Sequence, residues 1–212
     1  MKSIAIGVHL LRDDVEPVAD AVPVGDLFMS GIAIADDQPL SDRDLLLRAA
    51  SVRASLLERA TFVAVRYGFA FRTSGEALEK CASRLPRWKE LLEEHRARVE
   101  FTLKVAAPAA QRPDRRDFES GAAYLRALHD ARDAASVPEA FRREVERLVI
   151  PLAVSHRWVN RDSTSIELAG LIDRDALPRL GEAGQALKQT VPGVPFLLSA
   201  PWPLEVFAGV SS

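Results

Sequence analysis

Only one of the 212 residues is a cysteine, Cys81, so no disulfide can close within the chain and a reducing cytoplasm is the expected setting. Charge of one sign is missing too. Twenty-eight basic residues stand against 30 acidic ones, for a net charge of -2, which leaves no global field to gather nucleic acid or an anionic membrane. Long hydrophobic runs are absent: the weakly polar stretch from Leu27 to Ala35 is far too short to cross a bilayer, and the N-terminal apolar stretch soon meets Arg12-Asp13-Asp14. What remains is a hydrophobic fraction of 48% and a charged fraction of 27%, the composition of an ordinary globular protein.

The motifs of small-molecule chemistry are missing as well. Neither GxGxxG nor GxxxxGK[ST] occurs, so no glycine loop is laid out to cradle a phosphate. His9, His95, His129 and His156 are scattered without a metal-ligand spacing, and no GxSxG elbow presents a serine nucleophile. Ser163 and Ser165 lie near His156 and Asp162, but in what reads as a hairpin turn, where sequence neighbours rarely converge as a triad. Cys81 shares an apolar helical face with Leu78, Leu85 and Trp88 and reads as a small buried hydrophobe. Glu93-Glu94-His95-Arg96 reads as a solvated helix face, and Arg112, Arg115 and Arg116 as a basic loop. The expectation is a protein with no catalysis, cofactor or metal.

Periodicity gives the organisation. Ile4, Ile6 and Val8 alternate as a strand, and Leu27–Ala35 reads as a second strand after an acidic, proline-bearing connector. From Ser41, read as the N-cap, Leu45, Ala49, Val52 and Leu56 mark one face of a helix. Thr61–Phe71 reads as a strand bent at Gly68, and Leu78–Leu92 as a helix interrupted at Pro86. Beyond Arg98 alternation returns, with Phe101, Leu103 and Val105 on one face. A proline- and arginine-rich loop follows from Pro108 to Arg116, then helices carrying Phe118–His129 and Phe141–Leu148. A hairpin of Leu152–Val159 and Ser165–Ile172, a helix through Leu177–Leu187 and a strand at Val194–Ser199 complete the chain.

These elements predict an α+β protein of two small units, residues 1–98 and 99–212. The second has the split βαβ order of a ferredoxin-like domain, and the first is a modified ferredoxin-like arrangement.

Three segments, in order, resemble the gas vesicle GvpF/GvpL family. Val63-Ala64-Val65-Arg66-Tyr67-Gly68-Phe69-Ala70-Phe71 is similar to P-V-R-F-G-T-V-F, with Ala64 for proline and Tyr67 for phenylalanine. Val99-Glu100-Phe101-Thr102-Leu103-Lys104-Val105 resembles V-E-W-x-L-K-V, with Glu100 and Lys104 in place. The ending from Leu197 through Pro201-Trp202-Pro203 to Phe207 resembles L-x-x-x-G-P-W-P-P-Y-S-F, with Ala200 for glycine and Leu204 and Glu205 for proline and tyrosine. Shorter echoes are Gly121–Leu125, similar to G-x-x-Y-L, and Leu171–Arg174, similar to L-V-D-R.

The resemblance implies a cytoplasmic, gas-vesicle-associated accessory protein that contacts the GvpA-like shell protein and other accessory proteins. On the same ground Arg66, Tyr67, Glu100, Lys104 and Trp202 are the candidate partner-binding residues. A second reading stays open for them: Arg66–Gly68 as a plain strand bend and Pro201-Trp202-Pro203 as a rigid cap over the core. Two other functions stay open as well, a related binding module recruited to another multiprotein system and, with least support, a small-molecule enzyme.

Overall fold

The structure is a computed structural model that describes residues 1–11, 15, 19–106, 114–133, 137–162 and 165–209, with the side chains of 129–133 and 160–162 left aside. The expected basic loop at Arg112 and the tip of the expected hairpin at Ser163 therefore lie outside the described residues. The described chain forms two compact units, one from Met1–Glu100 with Pro201–Ser212 and the other from Phe101–Ala200. The divisions fall inside two strands, whereas the sequence reading placed a single boundary after Arg98.

The first unit is built on a five-stranded sheet. β1 (Lys2–His9) is its centre, paired antiparallel with β3 (Leu27–Ile34) on one side and with β4 (Val63–Ala64) and β5 (Ala70–Phe71) on the other. β2 (Asp20–Val24) pairs with β3 and forms an edge. The sequence reading treated β2 as connector because of its acidic residue and Pro23. Both fit an edge strand, where a missing amide breaks no ladder. The β2–β3 reversal at Gly25 and Asp26 uses a positive φ of 65° at Gly25, a region that other residues enter at a steric cost.

Helix α1 (Arg43–Arg59) packs Leu45, Ala49, Leu56 and Leu57 with Ile4, Ile6, Ile32, Ile34 and Phe62 in one hydrophobic cluster. Its N-cap is Asp42, not Ser41, because the Asp42 carboxylate accepts the amide of Leu45 at 2.9 Å. The predicted strand over 61–71 is split into β4 and β5 by a turn in which the Phe69 amide donates to the Arg66 carbonyl and Gly68 has φ 93°. The helix is interrupted just before Pro86: α2 (Ser74–Cys81) and α3 (Leu85–Glu94) are separate helices, with the proline in the first turn of α3. In α2 it is Ala77 that is buried beside Cys81, while Leu78 is exposed.

The second unit carries a four-stranded sheet. β6 (Arg98–Ala106) runs into it and is followed by α4 (Gly121–Asp133), α5 (Glu139–Leu148), β7 (Ala153–Asp162), β8 (Ser165–Asp173), α6 (Leu177–Thr190) and β9 (Phe196–Trp202). Its strand order is β7-β8-β6-β9, and β7 and β8 form the predicted antiparallel hairpin. This α+β arrangement is compatible with a ferredoxin-like unit. The alternation read in β6 is the observed one, with Phe101, Leu103 and Val105 buried and Lys104 exposed. α5 lies against α6, and Phe141 meets Phe196 with ring centroids 5.3 Å apart.

Gly7 and Gly170 are fixed by close approach rather than by φ. The space a side chain would take at Gly7 is filled by the Phe62 ring, and at Gly170 by the Phe101 ring. Gly7→Ala and Gly170→Ala should each lower stability by about 1–3 kcal/mol through overpacking. Denaturant melts of the two variants check this; a variant as stable as the parent would show that the ring beside it moves away freely.

Candidate partner-binding site at the returning chain end

Glu100 stands at the third residue of β6 and is 1% exposed. A carboxylate so deeply buried is tolerated only when its lone pairs are satisfied. Backbone amides from the end of the chain do this: Glu205 and Phe207 donate to Oε1 at 2.9 and 2.8 Å, and Val206 donates to Oε2 at 3.0 Å. Successive amides wrapped round an anion form a concave positive seat, here occupied by a side chain of the same unit.

The same segment is tied to the sheet of the first unit. Leu204 donates to the Phe62 carbonyl at 2.9 Å, its own carbonyl accepts from Ala64 at 3.3 Å, and it forms a parallel bridge with Val63. Pro203, Leu204 and Val206 are buried. Arg53, on α1, forms an ion pair with Glu205 and lies over the Trp202 ring, 6.0 Å from its centroid. Burial lowers the pKa of the Arg53 guanidinium, which increases the value of its carboxylate and aromatic neighbours.

Trp202 is 38% exposed, with Pro201 and Pro203 limiting the backbone on either side. It belongs to the first unit, whereas the sequence reading placed it within the second, at residues 99–212. Arg66 is exposed in the turn between β4 and β5. Next to it Tyr67 is 39% exposed and donates its hydroxyl to the Leu40 carbonyl at 2.8 Å. Lys104 is exposed on β6 in the second unit. The structure thus places Arg66, Tyr67, Lys104 and Trp202 at the surface and Glu100 beneath it.

Arg53 and Glu205 escaped the sequence reading. Glu205 carried a signal, as it stands where the family pattern has tyrosine, but Arg53 lies 152 positions away with nothing local to mark it.

Several other reactive groups are engaged internally. The Cys81 thiol is buried, which raises its pKa, and it points at the Ala77 carbonyl. The ring nitrogens of His9 meet the Leu11 carbonyl and the Ser30 hydroxyl, both at 2.7 Å. His95 was expected on a solvated face but is 7% exposed, and its Nδ1 accepts from Arg98 at 3.1 Å. Among the described residues no three His, Cys, Asp or Glu side chains gather as a metal site needs.

The sequence model of the family described as gas vesicle synthesis protein GvpL/GvpF matches residues 14–207. The chain belongs to the GvpL/GvpF family. The fold agrees with this membership: the crystal structure of the gas vesicle protein GvpF from Microcystis aeruginosa superposes with a TM-score of 0.71 at 13% identity, over 98% of each chain. GvpF from Anabaena sp. PCC7120 gives 0.67 at 12% identity, over 100% of this chain and 98% of that one. No curated protein matches the chain. Within this GvpL/GvpF member, the three family-like segments converge only in part: Val63 and Ala64 of the first, Glu100 of the second and Leu204–Phe207 of the third meet in the first unit.

Glu100→Gln replaces one acceptor oxygen by an NH2 that faces a backbone donor. It should cost about 1–3 kcal/mol in a urea melt, and an unchanged midpoint would show that the amides do not depend on the carboxylate. His95 gives a pH test. Burial, ahead of an opposing pull from Glu94 and a further push from Arg98 and Arg87, lowers its pKa from the usual value. The unfolded imidazole takes up a proton below about pH 6.5 while the folded one resists until lower pH, so the contribution of His95 is complete above about 6.5 and is lost as pH falls through the folded value. The melting temperature should fall between about pH 7.5 and pH 5.5, and His95→Gln should flatten that fall; equal slopes would contradict the assignment.

Proposed function

We propose that this GvpL/GvpF-family protein is a non-catalytic accessory factor that binds a GvpA-type shell protein, together with other accessory proteins, in the cytoplasm and at the growing gas vesicle. Family membership over residues 14–207 is the observation that carries the reading. The side-chain arrangement supports it. Glu100, the most deeply buried of the family-like polar residues, holds backbone amides, whereas Trp202 and Tyr67 present aromatic surface on backbone that is held in place. Rigid, partly exposed aromatics are what protein contacts draw energy from.

The physical task fits such a surface. A shell protein that coats a gas space exposes apolar area before assembly, and this area aggregates unless another protein covers it. Arg66, Tyr67 and Trp202 of the first unit and Lys104 of the second are the proposed surface contacts, with Glu100 acting on the segment that carries Trp202. Among the described residues no helix is long and apolar enough to cross a membrane.

Co-expression of the protein with a GvpA-type shell protein should keep the shell protein in the soluble fraction and recover the two together, with little loss at high salt because the contacts are apolar. Trp202→Ala should reduce recovery while the protein stays folded. A well-folded protein that neither co-purifies with the shell protein nor changes its aggregation would transfer the family fold to a module serving another assembly.

A further inference from the structure

We propose that a second apolar face of helix α1, running from Arg43 to Ala54, is the docking surface for one amphipathic helix of the GvpA-type shell protein, which sets a carboxylate against Arg43. The inference rests on the binding function above and assigns it a place and a shape of partner.

A helix that serves only the fold needs one apolar stripe. At about 100° per residue, α1 has two. Leu45, Ala49, Val52 and Leu56 share the face that joins the core cluster with Ile4, Ile6 and Ile32. Asp44, Arg48, Ser51, Ser55, Glu58 and Arg59 share a polar arc. Leu46, Leu47, Ala50 and Ala54 fall together on the remaining arc, itself about 100° wide, and all four are exposed, Leu46 by 44% and Leu47 by 59%. Four apolar neighbours on one face form a patch, which isolated surface leucines do not. Further along, Leu57 is buried in the core cluster, so the exposed arc ends after about three turns.

The arc has relief as well as composition. Leu46 and Leu47 stand out as a ridge, and Ala50 and Ala54, one turn apart, leave a low floor that lets another helix come close. Arg53 borders the arc, pairs with Glu205 and lies over the Trp202 ring, 6.0 Å from its centroid. The partly exposed ring therefore stands at the border of the arc, near its C-terminal end.

The occupant follows from what this surface offers. Backbone groups inside α1 are bonded along the helix, so only side chains face outward. An extended segment would press unpaired amides and carbonyls against them, whereas a helix arrives with its own backbone satisfied. Arg43 lies in the middle of the arc at its N-terminal end, is exposed, and has no hydrogen bond or ion pair of its guanidinium among the described residues. A carboxylate at that end of the partner helix fits it, and a lysine does not. A second copy of α1 fits badly. Paired in parallel, two such arcs set Arg43 against Arg43, and paired antiparallel they set Arg43 beside Arg53 of the other copy. The arc and the ring edge also amount to only a few hundred Å², below the ~800 Å² per partner of a standard stable interface.

Co-expression of variants with a GvpA-type shell protein tests this. Ala50→Glu and Ala54→Glu replace exposed residues by another good helix former, so the melting temperature should stay that of the parent while recovered shell protein falls roughly tenfold. Arg48→Glu, on the opposite side of the same helix, should leave recovery unchanged. Arg43→Glu should lower recovery about two- to fivefold, and Arg43→Lys should not. In the unmutated complex the methyl resonances of Leu46 and Leu47 should shift and those of the core residue Leu45 should stay.

Full recovery with both alanine variants, and unmoved Leu46 and Leu47 methyls in a complex that forms normally, would overturn the docking surface and leave the binding function standing. Unchanged recovery with Arg43→Glu would overturn the carboxylate. A mass that doubles with concentration in the protein alone, and returns to that of one chain in Ala50→Glu, would mean that a second copy covers the arc and would overturn the shell-protein helix. Failure of the unmutated protein to recover any shell protein would remove the function and the site together. If a variant melts below the parent, the methyl shifts of the unmutated complex decide alone.

Discussion

The carboxylate of Glu100 and the amides of Glu205, Val206 and Phe207 form the interaction on which the rest of the first unit depends. A buried charge without partners would cost several kcal/mol, and three unsatisfied amides would add to that. Each satisfies the other. The consequence is topological: residues that follow the whole second unit return to complete the first, and the first unit is therefore discontinuous in sequence. Leu204 then lies beside the two-residue β4 and lends backbone bonds to a strand too short to hold a sheet edge by itself. Pro201 and Pro203 on either side, and Arg53 over the ring and paired with Glu205, leave Trp202 a narrow choice of positions.

Local signals were legible and distant pairings were not. The alternation of Phe101, Leu103 and Val105, the spacing of Leu45, Ala49 and Leu56, and the break at Pro86 all report forces that act within a few residues, and the structure follows them. β2 was missed because Pro23 weakens a strand pattern, although on an edge it weakens nothing. The Asp42 cap was displaced by one residue because Ser41 and Asp42 are both good caps and only the turn geometry separates them. His95 reads as solvated beside Glu93, Glu94 and Arg96, yet the end of α3 turns it inward to Arg98. The partners of Glu100 stand more than a hundred residues away; the family-like segments marked both ends of that contact without joining them.

Several of the groups that often signal chemistry in an unfamiliar protein are here engaged in holding structure. The Cys81 thiol, both nitrogens of His9 and the carboxylate of Glu100 each have partners inside the first unit. Exposed aromatic edges remain at Tyr67 and Trp202. In a member of a gas vesicle synthesis family, these features fit the proposed role of acting on other proteins through contact.

The Glu100 clasp is the central claim about how this chain produces that surface, and amide exchange at its far end tests it most directly. The amides of Glu205, Val206 and Phe207 should exchange as slowly as those of β1 in the isolated protein and become fast in Glu100→Gln, while β1 itself stays protected. Rapid exchange at all three in the unmutated protein, at the rate of a free chain end, would contradict the account.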